Sequence, residues 1–116
     1  MRSESFGSVR IFWPAFSRAE LIERLRAGIP ALARALPLAR VVLFGSWAQG
    51  RATVRSDVDV LVVYAGAPRE DAFQTVRQCL DTPGLEPHTY TEAEAAALGS
   101  TLERMTAGGV VLYPAT

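Results

Sequence analysis

The chain has 116 residues, with 12 basic and 12 acidic side chains that cancel, 49% hydrophobic residues and a single cysteine. A polypeptide of this size buries roughly two-thirds of the surface it exposes when unfolded, which supports one core but not separate cofactor and substrate domains. Zero formal net charge argues against a protein whose main task is coating DNA or an anionic membrane, because those partners select a basic excess.

Cys79 alone cannot form an internal disulfide, and no apolar run approaches the ~20 residues of a membrane span, so the expectation is a soluble, cytoplasmic protein. Every basic residue is arginine, which excludes a lysine nucleophile and a phosphate loop of the Walker type. Residues 1–16 carry Phe6, Ile11, Phe12, Trp13 and Phe16 among serines and arginines. They are read as an apolar N-terminal segment that packs on the domain, on a second copy or on a partner. Residues 17–116 are read as a single domain.

Ser17 with Glu20 three places on has the spacing of a capping box and opens a helix. Leu21, Ile22, Leu25, Ile29, Leu32 and Leu36 recur at helical intervals as one buried stripe. Gly28 and Pro30 interrupt that stripe, so a kink or two short helices ending by Pro37 are expected. The β-branched apolar run at 40–44, stopped by Gly45, predicts a buried strand. Residues 46–56 are polar and small, and 57–64 form a second apolar strand. An amphipathic helix follows over 68–80, then a third strand over about 85–90. Thr91 with Glu94 repeats the capping-box spacing and predicts one helix running through Leu98, Leu102 and Met105. Gly108 and Gly109 release a short last strand over 110–113. This order is an α/β layout, a small mixed sheet of about four strands with helices packed on it. The first two strands can pair antiparallel, whereas the second and third, joined through a helix, should form a parallel right-handed unit.

Strand side chains repeat with period two, so Asp57 and Asp59 project from one face and Val58 and Val60 from the other. Glu86 sits at the start of the parallel third strand, at the same sheet end, where the first strand delivers Gly45 and Ser46. Three carboxylates in one place repel unless a cation joins them, and hard oxygen ligands suit Mg²⁺ or Mn²⁺. The natural guest is a metal bound to nucleotide phosphates. Gly45 and Ser46 then hold the triphosphate through close-approaching backbone amides. Arg51 or Arg55 neutralises developing charge, and Ser56 completes the candidate nucleotide contacts. His88 shares the Glu86 face by alternation, but a lone histidine is more often structural and is left off the site. Trp47 is read as a plug at the core edge rather than a base-stacking platform, and Cys79 as a small buried hydrophobe.

Residues 44–62, F-G-S-W-A-Q-G-R-A-T-V-R-S-D-V-D-V-L-V, resemble the signature of the DNA polymerase β nucleotidyltransferase superfamily: Gly-Ser, a ten-residue spacer, then Asp-x-Asp. The short chain is similar to the minimal members, often encoded beside a helical HEPN partner, some of which act as antitoxins by adenylylating it. The resemblance implies a polymerase β-like fold, metal-binding Asp57 and Asp59, a phosphate-binding Gly45 and Ser46, and Glu86 as third carboxylate, where many members have aspartate. It implies metal-dependent transfer of a nucleoside monophosphate, AMP from ATP, to an acceptor hydroxyl on a partner protein, with release of pyrophosphate. Two further readings stay open: an antitoxin-like binding module with a vestigial site, and a regulator that senses metal and nucleotide without turnover.

Overall fold

A computed structural model describes residues 17–53 and 55–115; the apolar segment at 1–16 and its packing lie outside the described residues. In chain order the elements are α1 (Arg18–Ala35), β1 (Leu38–Phe44), β2 (Val58–Tyr64), α2 (Ala72–Leu80), β3 (Leu85–Thr91), α3 (Glu92–Leu98), α4 (Ser100–Met105) and β4 (Val110–Tyr113). The strands form one mixed sheet in the order β3, β2, β1, β4. β1 runs antiparallel to both β2 and β4, and β2 runs parallel to β3. This is the mixed α/β sheet expected from the pattern of strands and helices. No helix among the described residues is long and apolar enough to cross a membrane.

The sheet is apolar on both faces. Val41 and Leu43 of β1, Val58, Val60 and Val62 of β2, Leu85 and Leu112 pack with Leu21, Leu25, Ile29 and Leu32 of α1 and Val76 and Leu80 of α2. Val42, Phe44, Leu61 and Val63 turn the other way and pack with Leu102 of α4. The alternation is the period-two geometry of a strand covered by helices on both sides.

Three expectations for the helices are corrected. Of the kink or two short helices expected, the two short helices are overturned: α1 is one helix with Pro30 inside it, and it ends before Pro37 as read. Its capping box forms as read, with Ser17 N donating to Glu20 Oε1 at 2.7 Å and Glu20 N donating to Ser17 Oγ at 3.1 Å. Burying four large aliphatic side chains, about 1.5–3 kcal/mol each, outweighs the ~3 kcal/mol penalty of an interior proline, so the helix continues. The region after Thr91 is instead two helices. The Thr91 and Glu94 capping box is present, but Gly99 takes φ +53°, left-handed backbone that ends α3 before α4 begins. α2 begins at Ala72 rather than Pro68. Trp47 is buried in the larger core cluster, as a plug at the core edge, and Cys79 is half-buried against that cluster.

Gly28 is where α1 meets α2: a Cβ there would stand 2.6 Å from the Cys79 carbonyl oxygen and 2.9 Å from Leu80 Cδ2. In an ordinary helix interior Gly→Ala adds about 1 kcal/mol of stability. Gly28→Ala should do the opposite and cost about 1–3 kcal/mol, because the carbonyl cannot yield without moving a helix. A thermal melt should fall by several degrees; a variant melting at or above the wild type would show that the helices are not pressed together at this residue.

Candidate active site

The site is built where three strands end or begin together. β1 runs toward it and finishes at Phe44; antiparallel β2 and its parallel neighbour β3 start there. The ladders place Phe44 opposite Asp59, and Asp59 beside Glu86. Gly45, Ser46, Asp59 and Glu86 are thus gathered at one sheet end, as the sequence predicts. Val58 and Val60 belong to the cluster under α1 and α2, while Asp59 alternates onto the other face, beside Phe44 and Leu61. Asp57 lies one residue before β2 and is exposed, as is Glu86.

Gly45 has φ +79°, and a Cβ on it would stand 2.6 Å from Asp59 Oδ2. Both facts demand glycine: the backbone is left-handed, and the aspartate carboxylate occupies the space a side chain would take. The chain then coils tightly, with Gln49 N donating to Gly45 O at 3.2 Å and Arg51 N to Ser46 O at 2.9 Å. Arg18, the first residue of α1, braces this turn from outside: its Nε donates to Trp47 O at 3.2 Å and its Nη2 to Ala48 O at 3.1 Å. Sequence reasoning missed this brace, since nothing in the spacing links residues 29 and 30 positions apart.

The loop leading to β2 carries the other candidates. Ser56 N donates to Thr53 O at 3.0 Å and Thr53 N to Ser56 Oγ at 2.9 Å, a local turn that aims the chain into Asp57. Arg51 is exposed and its guanidinium donates to Gln49 Oε1; Arg55 is exposed too. Among the described residues neither arginine forms an ion pair with Asp57 or Asp59.

Asp59 has a different partner. His88 Nε2 lies 3.2 Å from Asp59 Oδ1, and the His88 ring meets Phe44 edge to face at a centroid distance of 5.0 Å. The signal for this contact was available: His88 alternates onto the Glu86 face, one step further along β3. What singles out the histidine, however, is the carboxylate diagonal to it on the adjacent strand, two residues before its ladder partner Leu61, which a single sequence does not display. Among the described residues no group of three or more His, Cys, Asp or Glu side chains is drawn together closely enough to hold a metal ion. The carboxylates that adjoin in register are Asp59 and Glu86, with Asp57 just upstream. Oxygen donors of this kind suit a hard divalent cation that keeps waters and takes its remaining ligands from substrate phosphates.

The chain's sequence matches the model of the nucleotidyltransferase domain family over residues 25–106. No curated protein matches it. Among solved structures it resembles a protein from Sulfolobus solfataricus assigned as a nucleotidyltransferase, with TM-score 0.55 and 19% identity over 94% of this chain and 90% of that one. It also resembles a chain of a toxin–antitoxin complex with AMP-PNP, with TM-score 0.54 and 21% identity over 78% and 74%.

The contact between Gly45 and Asp59 predicts a coupling. Gly45→Ala should cost about 1–2 kcal/mol from the left-handed backbone alone. The added Cβ should also push the Asp59 carboxylate aside. Because a side-chain tip held by a single hydrogen bond yields more easily than backbone, the extra cost is modest, about 0.5–1 kcal/mol, and it should vanish in an Asp59→Ala background. Denaturant unfolding of the two single variants and the double variant measures it; strictly additive losses would mean that Asp59 does not occupy the space over Gly45.

Proposed function

The chain belongs to the nucleotidyltransferase domain family, and from that membership we propose that it transfers AMP from ATP to an acceptor hydroxyl on a HEPN-type partner protein, in the cytoplasm, with Mg²⁺ or Mn²⁺. Residues 17–116 act as the one transferring domain. The observation that carries this reading is the glycine at φ +79° set directly against Asp59. A backbone stripped of side chain next to a carboxylate lets a phosphate and its counter-cation approach the chain at once.

In this reading Gly45 and Ser46 bind the triphosphate, the first by exposing its amide and the second by adding a hydroxyl. Asp57 and Asp59, with Glu86 beside Asp59, offer the oxygen donors, and the cation when bound offsets phosphate charge and activates the attacking hydroxyl. Glu86, exposed at the strand start, positions the acceptor and takes its proton. The acceptor oxygen attacks the α-phosphorus in line while the bond from that phosphorus to the bridging oxygen breaks, so pyrophosphate leaves. Arg51 and Arg55, both exposed on the loop between β1 and β2, meet the charge building on the leaving group. Ser56 holds the approach to Asp57 and adds a hydroxyl near the phosphates. Adenine as the base is supported by the toxin–antitoxin structure of like fold with AMP-PNP, and a HEPN partner by the resemblance of residues 44–62 to the minimal members.

The test is transfer of label to a co-purified HEPN-type protein encoded beside this chain. Label should move from α-labelled ATP and not from γ-labelled ATP, with one pyrophosphate released per event. Asp59→Asn should retain the wild-type circular dichroism and lose more than ~100-fold in rate, beyond the range that partners outside the ligand set supply. Nucleotide binding with no pyrophosphate released would instead establish the regulator, and partner binding with neither would establish the binding module.

A further inference from the structure

We propose that His88 is a positioning residue: it fixes the Asp59 carboxylate so that Oδ1 is engaged by the protein and Oδ2 alone is presented beside Gly45. This rests on the proposed transfer reaction, in which Asp59 is a ligand of the divalent cation.

The geometry is closed from three sides. His88 Nε2 is 3.2 Å from Asp59 Oδ1. An ionised carboxylate only accepts, so the imidazole nitrogen facing it is the one that carries hydrogen and donates. Oδ2 of the same carboxylate fills the space where a Cβ of residue 45 would be, 2.6 Å from it. The histidine ring is in turn held by the edge-to-face contact with Phe44, at 5.0 Å and 61° between planes. Phe44 is the residue opposite Asp59 in the antiparallel ladder, and His88 stands beside Leu61 in the parallel one. The aspartate, the histidine and the phenylalanine therefore come from three different adjacent strands. Each is placed by backbone pairing rather than by loop conformation.

An aspartate without such a partner rotates freely about its second torsion, which is broad and nearly two-fold. It would present either oxygen, or both, to a cation. With Oδ1 held by a donor, one oxygen is oriented toward Gly45, where the proposed phosphate binds. The side chains of His88 and Asp59 are 31% and 27% exposed, sheltered enough for the hydrogen bond to persist and open enough for Oδ2 to be reached from solvent. Outer partners of metal-ligating groups typically supply 10–100-fold in affinity or rate by this means.

His88→Ala and His88→Gln, which can return an N–H donor to the same place, are compared with wild type in two measurements. The first is Mn²⁺ binding followed by calorimetry in the presence of a saturating non-hydrolysable ATP analogue, whose phosphates supply the cation's remaining ligands, with no partner needed. The second is steady-state transfer from ATP. His88→Ala should weaken Mn²⁺ binding and lower kcat, each by about 10–100-fold, while KM for ATP, read with Mn²⁺ saturating for each protein, changes less than about twofold, because the triphosphate contacts at Gly45 and Ser46 remain. His88→Gln should recover most of both losses. An alanine variant with wild-type Mn²⁺ affinity overturns the proposal, as does one whose loss appears only in melting temperature. A glutamine variant as impaired as alanine also overturns it, since histidine would then serve through its lone pair. Wild type that binds Mn²⁺, with the expected His88 dependence, but transfers no label leaves the positioning role standing and overturns the reaction instead. Wild type that binds no Mn²⁺ overturns both.

Discussion

The antiparallel register that sets Phe44 opposite Asp59 brings the last residues of β1 against the first carboxylate of β2, and the chain has then to turn away from the sheet without a side chain. Only glycine meets that demand, because the backbone at residue 45 is left-handed and Asp59 Oδ2 already fills the space over it. A slip of one residue in this ladder would exchange the faces of Asp59 and Val60, burying the carboxylate under α1 and α2. The valines that hold the register, Val58, Val60 and Val62, are each almost completely buried, so the core of the protein also enforces the spacing of its site.

The division of labour between the two faces follows from this. The larger cluster, under α1 and α2, contains no carboxylate, arginine or histidine and stabilises the sheet. The smaller cluster, under α3 and α4, ends at Phe44 and Leu61 and supplies an apolar flank to Asp59 and His88. Charges beside such a flank interact more strongly than in bulk water. A long-range tether on the glycine turn comes from Arg18, at the start of α1, and spans 29 positions to reach Trp47. The helix that packs the core therefore also steadies the proposed phosphate-binding turn.

Much of this was legible in the residues themselves. Continuous apolar runs bounded by glycine and proline located the first two strands, the pairing of Ser17 with Glu20 and Thr91 with Glu94 located two helix starts, and Asp59 with Glu86 followed from period-two geometry plus a parallel crossover. What was not legible depends on contacts between distant segments. Pro30 reads locally as a helix breaker, and only the burial of Leu21, Leu25, Ile29 and Leu32 on both sides of it keeps α1 whole. Gly99 reads locally as tolerable within a periodic apolar pattern, yet its left-handed backbone divides that helix. Gly28 reads as an interruption and is a close contact between helices. His88 reads as an ordinary strand residue until β2 is laid beside β3 and Phe44 beside both.

The central claim is that Asp59 and the turn at Gly45 form one site for a cation and a nucleotide together. Reciprocal coupling is the property that such a site must have: each ligand should raise the affinity for the other by the same factor. The direct measurement is calorimetric titration of the wild-type protein with a non-hydrolysable ATP analogue, with and without saturating Mn²⁺, repeated with Asp59→Asn. Mn²⁺ should tighten analogue binding to the wild type at least tenfold, about 1.4 kcal/mol of coupling, and the coupling should disappear in Asp59→Asn. Equal analogue affinity with and without the metal in wild type, or undiminished coupling in Asp59→Asn, would contradict that claim.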